Sequence, residues 1–291
     1  MKIEKVLILG LNGGFGKLFS NLLSKEKIIV FGVDLASQPD ELVKCNRYFC
    51  CDLSQPDENI LAVARQINCL LICLPETVAF RALEHFIPIM SSGALIVDIM
   101  SVKTGIADKL TNVMGDLEFL SINPMFAPDL EFQDQNIAAI QLSPGPLADV
   151  FTNLMEKWGG NVTSMTASEH DKNTAITQAM THAVIISFGI CLTELGYDIN
   201  KVFPILTPPH KTLISLLARI VSNNPEVYWR IQADNPYVAQ THKALINSLK
   251  IFEQITATKN QQDFYDTFAK SKETLFPFMN ELVTHASYIL H

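Results

Sequence analysis

Two hydrophobic rhythms divide the chain. Over the first 165 residues, short runs rich in β-branched side chains alternate with stretches of helical spacing. The runs at 5–9, 28–33, 69–74, 94–99, 119–122, 137–142 and 162–165 predict strands, and the stretches at 15–23, 58–66, 78–87 and 147–158 predict helices. These strands are apolar almost throughout rather than alternating, which is how strands covered on both faces read. The pattern therefore predicts a doubly wound, parallel α/β sheet. After Met165 the strand signals stop. Residues 167–195 read as one long helix ending at Gly196, a suitable C′ glycine, and 207–223, 237–255 and 262–290 keep helical spacing. Pro208-Pro209 and Asn224-Pro225 mark helix starts. The expected organisation is an α/β domain over 1–166 followed by an all-α domain over 167–291.

Composition narrows the classes. With 48% hydrophobic and 18% charged residues among 291, the chain is excluded from long disorder. Its most apolar stretch, Ala183 to Leu192, is interrupted by Ser187 and Gly189. At about half the length of a spanning helix, it is expected to be a buried helix rather than a membrane segment. Met1-Lys2-Ile3-Glu4 leads straight into the first strand, so a cytoplasmic protein without a leader is expected. A net charge of −8 with no Lys/Arg cluster argues against nucleic acid. The six cysteines complete no ligand set, so buried thiols, and no metal site, are expected.

The first candidate chemistry is the loop VLILGLNGGFGKLF, which places Gly10, Gly13, Gly14 and Gly16 between a strand and a helix. A dinucleotide site needs such glycines for a tight turn, for backbone approach to the pyrophosphate and for close helix–strand packing. The helix N-terminus then supplies N–H groups to the phosphates. Leu11 stands where the commoner pattern has its first glycine. Asp34 ends the second strand, 18 residues after Gly16, where a carboxylate accepts from the adenosine ribose and repels a 2′-phosphate. A Rossmann-type domain binding NAD rather than NADP is the expectation.

Ligands of such sheets bind beyond the carboxyl ends of the strands, and three ends carry unusual residues. Pro75 opens one segment, Ser101-Val102-Lys103-Thr104-Gly105 follows another, and Asn123-Pro124-Met125-Phe126-Ala127-Pro128-Asp129 a third. With Ser168-Glu169-His170-Asp171, Gln178-Ala179 and ARIVSNNPEVYWRI further on, the chain resembles the prephenate dehydrogenase family over almost its whole length. The resemblance implies oxidative decarboxylation of a dianionic cyclohexadienyl substrate. Hydride passes from ring C4 to NAD, the ring carboxylate is lost as CO2, and aromatisation drives the step. Prephenate is the expected substrate. The catalytic candidates are Ser101 near the C4 substituent, Lys103 supporting its loop, Asn123, and His170 as structure or site support. Substrate-binding candidates are Arg219 for a carboxylate, Lys211 eight residues earlier, and His182, whose structural alternative is a core histidine. Gly10, Gly13, Gly14, Gly16, Asp34 and Pro75 are the cofactor candidates. Relatives pair through the helical domain, and the apolar stretches there predict a homodimer.

One departure matters. Where the family has histidine in HPMFG, this chain has Asn123, with Ala127 replacing the glycine. An amide accepts a hydrogen bond but takes no proton near neutral pH. The enzyme is then slow, or another group is its base, or its substrate carries an amine at C4 as in 4-amino-4-deoxyprephenate. A nitrogen lone pair stabilises the departing-hydride cation better than a hydroxyl oxygen. Ser168-x-x-Asp171 reads as a capping box opening the long helix. Two other classes stand beside this one: a β-hydroxyacid-type dehydrogenase using Lys172, and a dinucleotide-binding relative that has lost catalysis.

Overall fold

The computed structural model describes residues 1–110 and 115–290, which divide into two compact units, Met1–His170 and Asp171–His291. In the first unit, β1 (Lys5–Leu9), α1 (Gly14–Lys25), β2 (Ile29–Asp34), β3 (Arg47–Cys50), α2 (Glu58–Ala64), β4 (Cys69–Ile72), α3 (Glu76–Phe86) and β5 (Leu95–Asp98) follow in order. Then come α4 (Thr104–Leu110), β6 (Glu118–Pro124), β7 (Asn136–Ser143), α5 (Pro146–Lys157) and β8 (Asn161–Ser164). The sheet order is β3-β2-β1-β4-β5-β6-β7-β8, so the chain reverses direction of growth between β1 and β4. Successive side chains alternate between the two faces. Leu7, Leu9, Leu70, Ile72 and Ile96 meet Ile60, Val63, Ala82 and Phe86 of α2 and α3. Val6, Ile8, Leu71, Leu95 and Val97 meet Phe19, Leu23, Phe151 and Met155 of α1 and α5.

Three features depart from the pattern reading. β3 is a strand that no apolar run announced: it lies at the sheet edge, part-exposed, with the Arg47 guanidinium 4.6 Å above the Phe49 ring. β7 runs antiparallel to β6, pairing Ile122 with Ala139 and Pro124 with Ile137, while β8 is parallel to β7. The sheet is thus mostly parallel. Apolar runs carry no direction, whereas the short, helix-free link between β6 and β7 cannot make a parallel crossover. None of the predicted helices covers α4.

In the second unit the long helix of residues 167–194 is not uniform. α6 (Ala167–Thr174), which begins in the first unit, passes through a wider π turn at Ala175–Met180 into α7 (Thr181–Glu194). Gly196 follows with φ +65°. Then come α8 (Ile199–Val202), α9 (Pro208–Ser222), α10 (Pro225–Ala233), α11 (Val238–Ala257), α12 (Gln261–Leu275) and α13 (Met279–Leu290). Asn224 caps α10 by accepting from the Glu226 N–H. The stretch read as 262–290 breaks at Phe276–Phe278, around Pro277.

The burial expected of Ala183–Leu192 is corrected here. In α7 only Ile185 is buried, and Val184 and Ile190 are 42% and 56% exposed. By length and composition, the 28 residues of Ala167–Glu194 are apolar enough to cross a membrane. Ala183–Leu192 is only the most apolar part of this helix.

Candidate active site

The glycine loop folds as its chemistry requires. Gly10 has φ +82°, and a Cβ there would collide with the Cys73 carbonyl after β4; a Cβ on Gly16 would collide with the Gly10 carbonyl. Gly13 is exposed and precedes α1, whose first-turn N–H groups have no acceptor inside the helix. Leu11 is buried over β2, and a Cβ on Gly32 would strike its side chain. The missing first glycine is thus compensated by one on the neighbouring strand. Gly14 faces Pro128 just as closely, so the loop after β6 packs against the start of α1.

Asp34 turns into the same cleft. Its Oδ2 accepts from the Asn12 N–H at 2.9 Å and its Oδ1 from the Leu35 N–H at 2.8 Å, which fixes the carboxylate while leaving lone pairs for further donors. The cleft, of about 600 Å³, is lined by Gly10, Asn12, Gly13 and Asp34 on one side and by Leu74, Pro75, Val78 and Arg81 on the other. Cys51, Asp52 and Ser54 after β3 complete it. The sequence assigned neither Arg81, one of its five arginines, nor Asp52 and Asn12 to this cleft. Arg81 lies on α3, whose register only the fold sets against β1 and β2. Asn12 does more than fill the loop, since its Oδ1 accepts from Asp40 N–H and its Nδ2 donates to the Gln38 carbonyl.

A second constellation closes the ends of β5 and β6. Lys103 is fully buried; its Nζ donates to Asp98 Oδ1 at 3.2 Å and to the Ile122 carbonyl at 2.7 Å. Asp98 Oδ1 also accepts from the Met100 N–H at 2.8 Å. One ammonium therefore ties the loop after β5 to the residue preceding Asn123. Ser101, half-buried, sits on that tied loop, and no hydrogen bond joins it to Asn123 among the described residues. Asn123 and His170 are 4% and 1% exposed, and Asn123 Nδ2 lies 2.9 Å from His170 Nε2. Their separation of 47 residues hid this pairing from the sequence. Cys69 and Cys73, on and just after β4, are held well above the usual thiol range, first by burial and then by the nearby carboxylates of Glu118 and Asp98 respectively.

The helix carrying His170 is capped differently from the expected Ser168 box. Thr166 is the capping residue: Glu169 Oε2 accepts from its N–H and hydroxyl at 2.8 Å, and Thr166 Oγ1 accepts from the Glu169 N–H at 3.2 Å.

In the second unit, the His182 ring meets Tyr228 edge-on at 4.9 Å. Burial, and then the charge of Arg219, hold His182 below the usual imidazole range. Asn223 bridges the pair's neighbours, donating to the Arg219 carbonyl and the Tyr228 hydroxyl. Arg219 itself is exposed in the last turn of α9. Lys211 is exposed near the start of α9, and no described contact ties it to Arg219 or His182. Lys172 lies 5.5 Å over the Tyr237 ring.

Comparison with known proteins identifies the family. The family model described as "Prephenate dehydrogenase, nucleotide-binding domain" matches residues 24–137, and "Prephenate dehydrogenase, dimerization domain" matches 166–270. A 4-amino-4-deoxyprephenate dehydrogenase of Streptomyces pristinaespiralis is 32% identical over 93% of this chain and 91% of its own length. A probable arogenate/prephenate dehydrogenase of Methanocaldococcus jannaschii is 25% identical over 89% of this chain, which spans 58% of that protein. The fold is shared with the prephenate dehydrogenase from A. aeolicus solved in complex with hydroxyphenyl propionate and NAD+. The TM-score is 0.71 at 16% identity, over 96% of this chain and 99% of that one. The chain belongs to the prephenate dehydrogenase family, a family of NAD-dependent oxidoreductases.

Proposed function

We propose that the protein is a cytoplasmic, homodimeric dehydrogenase that oxidatively decarboxylates prephenate with NAD. The observation that carries this reading is the cleft where the glycine loop, Asp34 and Pro75 converge at the point where the sheet order reverses. Gly13 and the first turn of α1 would hold the pyrophosphate, and Asp34 the adenosine ribose. When bound, NAD supplies the acceptor for the hydride leaving ring C4, while the ring carboxylate departs as CO2 and its bonding pair completes the aromatic ring. The overall reaction releases no proton, so the residue facing C4 has only to accept a hydrogen bond while charge develops. Asn123 is assigned that part, Ser101 a contact on the same side, and Lys103 the fixing of both loops through Asp98 and the Ile122 carbonyl. Arg219, with His182 beside it, is assigned a substrate carboxylate, since a chain of charge −8 needs a local cation to bind a dianion. Lys211 is assigned a supporting positive charge. The dimer reading rests on the exposed apolar side chains of the helical unit and on the family model for its residues.

Asn123 and the 32% identical relative favour a second reading for the substituent, an amine at C4 as in 4-amino-4-deoxyprephenate. Steady-state rates on prephenate, arogenate and the 4-amino analogue, each with NAD and NADP, decide among them. Prephenate turned over fastest supports the first reading, and the amino analogue the second. Asn123→His should raise kcat on the hydroxyl substrate and lower it on the amine. Equal or better use of NADP would overturn the part assigned to Asp34. No reduction of either cofactor with any of the three substrates would overturn the activity itself.

A further inference from the structure

The pairing of Asn123 with His170 has a direction. An amide nitrogen only donates, so with Asn123 Nδ2 placed 2.9 Å from His170 Nε2 the ring nitrogen must be the acceptor. His170 is then neutral with its proton on Nδ1. The amide is held by its nitrogen, and Oδ1 is its only acceptor. No described residue donates to Oδ1. The backbone around Asn123 offers little slack. Ile122 on one side is anchored by Lys103, Pro124 follows on the other, and Asn123 pairs with Ala138 on β7. His170 is equally fixed: its N–H donates to the Thr166 carbonyl at 2.9 Å, and the Thr166–Glu169 box closes that helix start. Neither partner can drift, so the choice left to the pair is which end of the amide faces the ring.

We infer that His170 is a positioning residue that selects the acceptor end of Asn123 for the C4 substituent of the substrate. This deepens the proposed function and rests on it for the identity of that substituent. An amide free to rotate would present Nδ2 about as readily as Oδ1, and Nδ2 opposes the developing positive charge rather than stabilising it. With His170 accepting from Nδ2, the site is preset for a substituent that donates through N–H or O–H. A chain with histidine at position 123 has an acceptor of its own there, whereas this one uses the second residue to orient an amide. His170 touches neither the ring nor the cofactor in this scheme, and acts through Asn123 alone.

Two measurements test the inference separately from the activity. Nitrogen NMR of the protein labelled with ¹⁵N-histidine, at neutral pH and without substrate, reads the tautomer. A protonated Nδ1 with a bare Nε2 on His170, altered in Asn123→Leu, is expected. A protonated Nε2 overturns the inference whatever the enzyme turns over. Kinetics then compare His170→Gln with His170→Leu on the substrate that the wild type uses. Leucine leaves the amide unoriented, and kcat is expected to fall at least tenfold with KM for NAD unchanged. The glutamine Oε1 can accept from Nδ2, and it should recover most of that loss. Equal losses in the two variants would reduce His170 to packing. A wild type inactive on every substrate tried would sink the proposed activity and leave the tautomer to decide this inference.

Discussion

The two units solve the problem of burying apolar surface in opposite ways. The nucleotide unit is closed on itself, with two continuous apolar layers, one on each face of the sheet, and strands β1, β4 and β5 almost wholly inaccessible. Among the described residues of the helical unit, the buried apolar cluster is Ala175, Ala179, Ile231 and Val238, with Ile185 and Ile220 buried outside it. Trp229, Phe268, Phe276 and Phe278 are all more than 60% exposed. The lesson concerns where stability and chemistry reside. The first unit holds its polar site between two apolar layers of its own, whereas the helices of the second leave much of their apolar surface exposed.

The sharpest way to break that comparison is to disturb the polar anchor inside the closed unit. Lys103→Met leaves the Asp98 carboxylate buried without its cation, and removing one partner of a buried pair costs about 3–5 kcal/mol. Thermal unfolding should fall by about 10 °C or more. Adding Asp98→Asn should recover part of the loss, because the uncompensated charge is gone. A Lys103→Met variant as stable as wild type would mean that the pair contributes nothing to fixing the two strand ends.

The helical unit is tested by concentration. If a second copy covers α7, α9 and their neighbours, unfolding of that unit should move to higher temperature as protein concentration rises. Light scattering should then report twice the chain mass at micromolar levels. A monomer with a concentration-independent transition would break the contrast, since the exposed apolar faces would then be tolerated by the chain alone.

How much of this was legible depended on whether one element carried the information. The glycine loop, Asp34 and the alternation of strand and helix are local patterns; the alternation led to the right fold, in which the loop and Asp34 line one cleft. Edge strand β3 escaped because Arg47-Tyr48-Phe49-Cys50 is half solvent-facing. The reversal at β7 escaped because an apolar run looks the same in either direction. Lys103 was legible as a loop support, but its ion pair with Asp98 and its bond to Ile122 required β5 and β6 to be neighbours. The turn at Ala175–Met180 is wider than an α-helical one, and the uninterrupted helical spacing over residues 167–195 gave no sign of it. The burial expected for Ala183–Leu192 came from hydropathy alone, which says how apolar a surface is but not whether neighbours cover it.

A smaller effect separates the duties of the units. Arg219→Ala removes a charge-assisted contact worth about 1.5–3 kcal/mol, so KM for the substrate should rise roughly 10–100-fold. NAD affinity, which belongs to the nucleotide unit, should not change. A parallel loss of NAD affinity would show that the units do not act separately. An unchanged KM would move the carboxylate contact to Lys211.

The smallest effect is a pH dependence confined to the helical unit. Burial first, and the Arg219 charge second, hold the folded-state pKa of His182 below its ordinary value of 6.5. The unfolded chain therefore takes up a proton at a higher pH than the folded one does. The resulting stability is fully present above pH 6.5 and is lost as pH falls through the folded value. His182 is only partly buried, so the loss should be modest. His182→Asn should flatten the dependence of unfolding temperature between pH 7 and pH 5, where its titration falls. Arg219→Ala should act partially, because it removes the smaller cause and leaves burial in place. An NMR titration of the His182 ring would show the same order: lowest in wild type, higher in Arg219→Ala, with neither reaching the value of a fully solvated imidazole. If Arg219→Ala left the titration where it was, the arginine would not be close enough to share an anion with His182, and the two residues would have to be assigned to different contacts.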